Sequence, residues 1–198
     1  MKLITACPIR TERLVLRESE ARDRAACIEL SASPEVGTYV GGARPRDELE
    51  RVVPEVPGRR LGFFVVELDG ASIGFIELNR RDAEHRSHVR PDAGVAELGY
   101  MFLPEAWGRG YAAETCTAVL GWFADALPAE AVVLCTQTAN ARSMRLAAKL
   151  GFTEAARAPL DKNMENSARS WWQLSELNRS STTSSGTARG SRSTCFCR

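Results

Sequence analysis

The chain alternates between segments with the apolar spacing of strands and segments with the apolar spacing of helices. Strands are predicted where apolar residues alternate or run without a break, namely at 13–17, 62–68, 72–78, 95–103, 131–136 and from 152 onward. Helices are predicted where apolar residues recur with a helical period, namely at 21–32, 47–53, 112–126 and 141–150. Strands and helices that interleave in this way predict an α/β (α+β) fold, in which helices flank a mixed sheet.

Several stretches fall outside this pattern. Residues 79–92 are charged and are predicted as a loop, and residues 35–57 combine Gly41-Gly42 with three prolines. After the last predicted strand, the only further strand-like segment is 169–174. Residues 178–198 are rich in Ser, Thr, Gly and Arg and are predicted to be a disordered tail, because so little apolar surface cannot offset the entropy of ordering. A shifted reading frame or a divergent end would both produce such a C-terminus.

Composition narrows the class of protein. The 198 residues, 44% of them hydrophobic, suffice for one domain, which we assign to residues 1–177 with 156–177 as its least regular part. The net charge of +1 and the scattered aromatic residues argue against a nucleic-acid surface or a membrane surface. No apolar run is long enough for a membrane span, and the first residues lack the apolar core of a signal peptide, so we expect a cytoplasmic protein.

The cysteines and histidines do not form the pattern of a metal site. Four isolated cysteines stand mostly in apolar patterns that are typical of buried thiols: Cys7, Cys27, Cys116 and Cys135. Cys195 and Cys197 are close together, but no upstream residues complete a four-ligand zinc site. His85 and His88 lie in a polar, arginine-rich stretch that is typical of a surface loop. We therefore expect no metal.

One segment joins a predicted strand to a predicted helix and carries two glycines: Trp107-Gly108-Arg109-Gly110-Tyr111-Ala112. The first N–H groups of a helix lack partners within the helix and carry partial positive charge. Gly108 and Gly110 allow an anion to approach these groups because they have no side chain, and Arg109 adds a cationic donor. The segment is therefore predicted to bind a phosphate or pyrophosphate group.

A dinucleotide is the first alternative for that anion, because residues 108–113 fit the pattern G-x-G-x-x-G/A. The dinucleotide fingerprint also requires an acidic residue at the end of the next strand, where it binds a ribose. Here that strand ends in Thr136-Gln137-Thr138, and the nearby Glu130 precedes the strand. The glycine-rich segment also comes late in the chain, after several strands and helices, whereas the dinucleotide fingerprint directly follows the first strand. Both observations disfavour a dinucleotide.

Four motifs follow one another in the second half of the chain: Glu97 to Leu103, Trp107 to Glu114, Asn140-Ala141-Arg142-Ser143 and Lys149-Leu150-Gly151-Phe152. Together with the opening Thr11 to Arg17, they resemble the GNAT superfamily of acetyltransferases, and within it the RimJ/RimL-type branch of ribosomal-protein-alanine N-acetyltransferases. The resemblance covers residues 10 to 155. It implies the GNAT fold, with a central sheet of about six to seven strands that is splayed between its two central strands. It also implies acetyl-CoA as co-substrate.

The resemblance assigns contacts to individual residues. In the family, a β-bulge separates the strand before the loop from its neighbour, and the pantetheine arm pairs with the freed backbone, here Met101, Phe102 and Leu103. The pyrophosphate contact falls on Gly108, Arg109, Gly110, Tyr111 and Ala112. Asn140 matches the asparagine that contacts the pantetheine arm, and Ser143 matches the serine near the cofactor sulfur. Trp107 replaces the usual Gln or Arg and is interpreted as a packing residue.

Acetyl transfer requires a neutral amine, a stabilised oxyanion and a departing thiolate. Glu97 is the candidate base, with an exposed carboxylate on a strand face as the alternative interpretation. Ser143 is the candidate to protonate the thiolate, because Ala147 holds the position of the tyrosine that many family members use. Departure of the thiolate without assistance is the alternative. Tyr100 is assigned either to core packing or to the acceptor pocket.

The sequence thus predicts an acetyl-CoA-dependent N-acetyltransferase that acts on a primary amine by direct attack in a ternary complex. The acceptor is a protein N-terminus or a small molecule, and residues 37–60 are predicted to line its site. A non-catalytic acetyl-CoA-binding protein is the alternative function, because the tyrosine is missing and the C-terminus is divergent. The sequence does not determine the oligomeric state, and a homodimer is among the options.

Overall fold

The computed structural model describes residues 8–80, 95–159 and 192–197. The strands are β1 (Ile9–Arg10), β2 (Val15–Arg17), β3 (Phe63–Leu68), β4 (Ala71–Arg80), β5 (Ala96–Phe102), β6 (Val132–Gln137), β7 (Thr153–Pro159) and β8 (Arg192–Cys197). The helices are α1 (Arg24–Ala32), α2 (Pro34–Gly37), α3 (Arg46–Val52), α4 (Tyr111–Ala126) and α5 (Ala141–Lys149). Short 3-10 turns at Ala21–Asp23 and Pro104–Ala106 precede α1 and follow β5.

All eight strands belong to one mixed sheet, in the order β1-β2-β3-β4-β5-β6-β8-β7. Neighbouring strands are antiparallel except for β5 and β6, which are parallel. The predicted α/β fold class is confirmed. The sheet has more strands than the expected six to seven, because the two-residue β1 and the C-terminal β8 were not predicted.

The sheet is open between its two central strands, as the sequence led us to expect. β5 pairs with β6 at only two positions, Ala96 with Val132 and Glu97 with Val133. From Leu98 onward the two strands separate, whereas β5 remains paired with β4 along its whole length. The described register of β4 with β5 contains no shift, so the expected β-bulge in β5 is absent and the prediction of a bulge was wrong. The divergence of β5 from β6 alone opens the sheet.

Each face of the sheet is covered by a separate group of helices. On one face, β-strand residues such as Leu98 and Phe102 pack with α4 and α5 around Cys116, Val119 and Ala147. On the other face, residues of β3 and β4 pack with α1 to α3, and the partly buried Met101 joins this cluster. Because side chains alternate along a strand, β5 presents different groups to the two layers. Within the described residues, no helix combines the length and the apolar character needed to cross a membrane.

The C-terminal strand corrects the prediction of a disordered tail over 178–198 at residues 192–197, and residues 178–191 lie outside the described residues. Residues Arg192–Cys197 form β8, which lies between β6 and β7 and pairs with both. The composition of the tail is polar on average, but its last residues contain a short β-prone segment, and the edges of β6 and β7 provide backbone partners for it. Thr194 is fully buried there. The candidate strand 169–174 lies outside the described residues.

Smaller differences concern element ends and cysteines. β4 extends to Arg80, into the stretch predicted as a loop from Asn79. α1 ends at Ala32, as predicted for the helix 21–32, and Ser33 then caps the short helix α2 through its side chain, with Pro34 as the first residue of α2. Cys27 and Cys116 are buried free thiols, as predicted. Cys135 is disulfide-bonded, contrary to the interpretation as a thiol, and its register partner in β8 is Cys195.

Candidate functional site

The opening between β5 and β6 is the feature around which the predicted site residues gather. The glycine-rich loop and α4 follow β5 directly, and α5 follows β6. Because β5 and β6 are parallel, the elements that follow them lie at the same edge of the sheet. Four functional candidates therefore lie at this edge, although they are far apart in the sequence: Gly108, Gly110, Asn140 and Ser143.

The backbone of β5 directs only part of its hydrogen-bonding groups into this opening. The Leu103 N–H donates to Ile73 O of the preceding hairpin at 2.9 Å, so Leu103 faces β4. The Met101 carbonyl crowds the position of a Cβ on Gly74 and therefore faces β4 as well. In an antiparallel pair, successive residues direct their backbone groups to opposite sides. Phe102 and Tyr100 consequently direct theirs toward the opening, whereas Met101 and Leu103 do not.

The loop before α4 has the backbone conformation that requires glycine. Gly108 has a φ of 75° and Gly110 a φ of 84°, and residues with a side chain rarely adopt such positive φ angles. Gly110 is the N-cap of α4 and supplies no side-chain cap. The first backbone bond within α4 runs from the Glu114 N–H to the Gly110 carbonyl at 3.1 Å, so the N–H groups before Glu114 have no partner from the helix itself.

Arg13 lies against this helix start, and sequence reasoning did not single it out beyond its place in the opening motif. Its side chain donates to the Glu114 carboxylate at 2.8 Å and to the Arg109 carbonyl at 3.0 Å. Its guanidinium carbon lies 4.6 Å from the centroid of the Tyr111 ring. Glu114 also accepts from the Thr11 hydroxyl at 2.5 Å and from the Arg13 N–H at 3.0 Å. We call this contact the Arg13–Glu114 clamp.

Hydrogen bonds from Thr11 and Arg13 hold the Glu114 carboxylate in place and set its charge. Burial alone would raise the pKa of Glu114, but hydrogen bonds from Thr11 and from Arg13 outweigh it and lower the pKa below its ordinary value. Glu114 is therefore ionised at neutral pH and fixes a cation beside the first turn of α4.

Trp107 connects the loop to both β5 and α5. Its indole N–H donates to the Phe102 carbonyl at 2.8 Å, and the Arg142 guanidinium carbon lies 5.2 Å from its ring centroid. Trp107 also packs against both apolar clusters of the sheet. These contacts agree with the interpretation of Trp107 as a packing residue, and they leave the Phe102 carbonyl engaged.

Two hydroxyl groups, one from the start of α5 and one from β5, lie next to the opening. Asn140 caps α5, since its Oδ1 accepts from the Ser143 N–H at 3.1 Å. Ser143 is buried, and its Oγ lies 2.8 Å from the Tyr100 hydroxyl on β5. Burial raises the pKa of Tyr100 to about 12, with the Ser143 hydrogen bond partly opposing this shift. The sequence could not predict this pair, because its members are 43 residues apart.

Glu97 stands on the other face of β5 from Tyr100. It is half-buried and occupies the last residue pair that joins β5 to β6 before the opening. By alternation it shares the face of Met101, on the side of α1 to α3. A second carboxylate lies on the same face: Glu77 of β4 is paired with Gly99 and forms an ion pair with Arg60. Sequence reasoning did not single out Glu77.

The loop between α2 and α3 reaches the end of β6 on this side. The Gln137 amide donates to the Tyr39 carbonyl at 3.1 Å. The residues that follow line a polar cavity of about 310 Å³, which is bounded by Val40 to Pro45 and by Glu48. Part of the stretch 37–60, which was predicted to line an acceptor site, is thus tied to the strand that borders the opening.

Comparison with known proteins identifies the family of this architecture. The profile of the acetyltransferase (GNAT) domain matches residues 13–153, well over half of the chain. The chain belongs to the GNAT acetyltransferase family. GNAT acetyltransferases use acetyl-CoA as co-substrate, and the match spans β2 to the start of β7 and includes the loop, α4 and α5.

Individual relatives agree with this assignment. The chain is 29% identical to the uncharacterized N-acetyltransferase YoaA of Bacillus subtilis strain 168 over 155 residues, which are 73% of this chain and 81% of YoaA. It is similar in structure to a GNAT-family acetyltransferase from Bacillus anthracis, with a TM-score of 0.67 and 19% identity over 97% of this chain and 98% of that one. A RimL ribosomal L7/L12 α-N-protein acetyltransferase in complex with coenzyme A superimposes with a TM-score of 0.64 and 12% identity, over 97% of each chain. At such identities the two structures show the shared fold.

Proposed function

We propose that this GNAT protein transfers the acetyl group of acetyl-CoA to a primary amine by direct attack in a ternary complex. The observation that carries the proposal is the opening of the sheet directly in front of an uncapped helix start. An extended pantetheine arm fits beside the unpaired edge of β5, and a pyrophosphate fits against the free N–H groups of α4. Both parts of one cofactor thus find partners in adjacent places.

The backbone directions and hydrogen bonds described above support a narrower assignment of groups to each part of the cofactor. The pyrophosphate would lie on Gly108 to Ala112, with Arg109 and Arg13 as cationic donors. Of Met101, Phe102 and Leu103, which the sequence assigned to the pantetheine arm, only Phe102 directs its backbone groups toward the opening. The backbone groups of Tyr100, which was not assigned to the arm, also face the opening. Asn140 would contribute its Nδ2 atom, since its Oδ1 already caps α5.

The acceptor amine would approach from the opposite face, where Glu97 lies. In this arrangement Glu97 removes the proton from the attacking amine, directly or through water. A backbone N–H of β5 that faces the opening would polarise the thioester carbonyl. The amine forms the new C–N bond, and the C–S bond breaks with its electron pair passing to the sulfur of CoA. The acceptor class, protein N-terminus or small amine, would be selected by the loop at Tyr39 to Glu48.

A non-catalytic acetyl-CoA-binding protein is the second candidate function, and Ala147 is the observation that favours it. Ala147 is fully buried on α5 and stands where many family members have a tyrosine. The two functions differ in one measurement, the release of CoA thiol when acetyl-CoA is mixed with a panel of amines and N-terminal peptides. Tight binding of acetyl-CoA with no thiol release on any acceptor would favour the binding protein.

The placement of the cofactor is tested by Gly110→Asp. This change introduces a carboxylate beside the pyrophosphate and a side chain at a φ of 84°, and we expect acetyl-CoA affinity in calorimetric titration to fall on the order of ten- to a hundredfold. Gly121→Asp is the matched control, because Gly121 is exposed on the same helix with open space around its Cβ position. Gly110→Ala separates backbone strain from charge. Unchanged affinity in Gly110→Asp would show that the cofactor lies elsewhere.

A further inference from the structure

The hydrogen bond between Tyr100 and Ser143 joins two elements that border the proposed cofactor site. Tyr100 projects from β5 and Ser143 from the first turn of α5, and their hydroxyl oxygens are 2.8 Å apart. The Ser143 N–H is held by Asn140, so the serine is fixed at the helix start. Ala147, one turn later, is buried and has no hydroxyl. Tyr100 thus brings a phenol from β5 to the start of α5, where α5 itself has none at Ala147.

The direction of this hydrogen bond decides what Ser143 can do. Each hydroxyl has one proton, and the geometry permits either group to donate. If Ser143 donated to Tyr100, only lone pairs of Oγ would face a neighbouring sulfur, and they would repel a thiolate. If Tyr100 donates, the Ser143 proton is available for the sulfur. A phenol is a stronger acid than an alkyl alcohol, which favours Tyr100 as the donor.

Full transfer of the Tyr100 proton to sulfur is not required and is disfavoured. Burial raises the pKa of Tyr100 to about 12, whereas an ordinary thiol has a pKa of about 8.5. Tyr100 thus remains a neutral phenol, and its contribution is a hydrogen bond. The CoA sulfur leaves as a thiolate that accepts a hydrogen bond from Ser143, and it takes its proton from solvent on release.

We propose that Tyr100 is a positioning residue, which donates to Ser143 Oγ and so directs the Ser143 proton at the sulfur of the departing CoA. The proposal rests on the proposed binding of acetyl-CoA between β5 and β6. Two hydroxyl groups in series polarise each other, and a charged acceptor strengthens both hydrogen bonds. Loss of Tyr100 would therefore weaken the stabilisation of the thiolate although Ser143 itself is retained.

The first test uses bound CoA and needs no acceptor. The pKa of the CoA thiol in the complex is measured from the ultraviolet absorbance of the thiolate as pH is raised. We expect Tyr100→Phe and Ser143→Ala each to raise this pKa, by about one pH unit, and the double variant to match Ser143→Ala. A bound thiol whose pKa is the same in Tyr100→Phe as in the wild type would overturn the proposal, and so would additive effects of the two changes.

The second test measures turnover. Tyr100→Phe should lower kcat about tenfold while the KM for acetyl-CoA stays within about twofold, and it should have no further effect in the Ser143→Ala background. Thr115→Val is the control for loss of a buried hydroxyl, because Thr115 Oγ1 on α4 has no hydrogen-bond partner within the described part of the chain. An equal loss of kcat from Tyr100→Phe with and without Ser143 would overturn the proposal.

The two proposals fail in different ways. Binding of CoA with no acetyl transfer to any amine would refute the proposed acetyltransferase function. The titration of the bound CoA thiol would still test the role of Tyr100 in that case. Absence of CoA binding would refute both. Thermal melting of Tyr100→Phe shows whether the variant is folded. Tyr100→Trp has a ring with an N–H donor in place of the hydroxyl, and the pKa of the bound CoA thiol should be raised in this variant as it is in Tyr100→Phe. A thiol pKa in Tyr100→Trp equal to that of the wild type would contradict the specific role of the Tyr100 hydroxyl.

Discussion

At the scale of single residues, Glu97 occupies the point at which β5 and β6 separate. This position brings a half-buried carboxylate to the border of the opening, on the face that α1 to α3 cover. Its neighbour on the same face, Glu77, is engaged by Arg60. Of the two carboxylates, only Glu97 lies in a residue pair that joins β5 to β6, so it is the one next to the opening. This position favours Glu97 over Glu77 as the base.

Glu97→Gln tests this assignment. We expect kcat/KM to fall about a hundredfold, because a positioned base is lost, while the affinity for acetyl-CoA stays similar. The pH dependence of the rate should also change, because general base catalysis depends on a group that can accept a proton. Glu29→Gln makes the same chemical change at a surface ion pair of α1, with 55% of the side chain exposed, and should leave the rate unchanged. A Glu97→Gln profile identical to that of the wild type at all pH values would remove Glu97 from the mechanism.

At the scale of elements, the Arg13–Glu114 clamp ties the segment before β2 to the first turn of α4. Its cation lies beside the helix start at which we place the pyrophosphate, and Arg13 Nη2 is 3.4 Å from the Cβ position of Gly110. Arg13→Gln should therefore weaken acetyl-CoA binding roughly three- to tenfold, since one cationic donor is lost. The difference from the wild type should shrink as salt is added, because the group is partly exposed.

Arg157→Gln provides the control for this prediction. Arg157 forms a surface ion pair with Glu154 on β7, away from α4, and its loss should leave acetyl-CoA affinity unchanged at every salt concentration. Equal affinity of Arg13→Gln and wild type at low salt would show that Arg13 only supports the helix and does not contact the cofactor.

The same elements show how far the sequence could lead. The order β5, loop, α4, β6, α5 was predictable, because apolar periodicity and glycine spacing are local signals. The Tyr100–Ser143 pair and the Arg13–Glu114 clamp were not, because their members are 43 and 101 residues apart and meet only in the folded sheet. β8 was missed because a strand that pairs on both sides gains its stability from its neighbours and not from its own composition.

At the scale of the whole molecule, one buried network joins the first half of the sheet to α1. Asp23 is fully buried and accepts from both terminal nitrogens of Arg17, at 2.7 and 2.8 Å. Arg17 of β2 also contacts Glu67 of β3, and the Ser72 hydroxyl of β4 donates to Asp23. The network therefore crosses three strands and the turn before α1. Removal of Asp23 leaves Glu67 as the remaining carboxylate partner of Arg17 and breaks a buried ion pair, which typically costs about 3–5 kcal/mol.

This network predicts how stability depends on pH. Burial alone would raise the pKa of Asp23, but hydrogen bonds from Arg17, from Ser72 and from the Glu20 N–H outweigh burial and lower it. A carboxyl group with a depressed folded-state pKa stabilises the fold above its unfolded pKa of about 3.9, and this contribution is lost as pH falls through the folded-state value. The wild type should therefore lose stability below about pH 4 more steeply than a variant without this carboxylate.

Asp23→Asn tests the prediction by urea unfolding across pH. The variant should be less stable than the wild type at pH 7 by about 3–5 kcal/mol, and the difference should narrow below about pH 4. Ser72→Ala is the milder change. It removes one donor to the charged carboxylate, which raises the folded-state pKa of Asp23 toward its unfolded value, so less stability should be lost on acidification and the loss should end at a higher pH than in the wild type. Asp47→Asn, at an ion pair with 79% of the Asp47 side chain exposed, should follow the wild type throughout. A constant difference between Asp23→Asn and wild type from pH 7 to pH 3 would show that the network contributes through packing and not through the charge of Asp23.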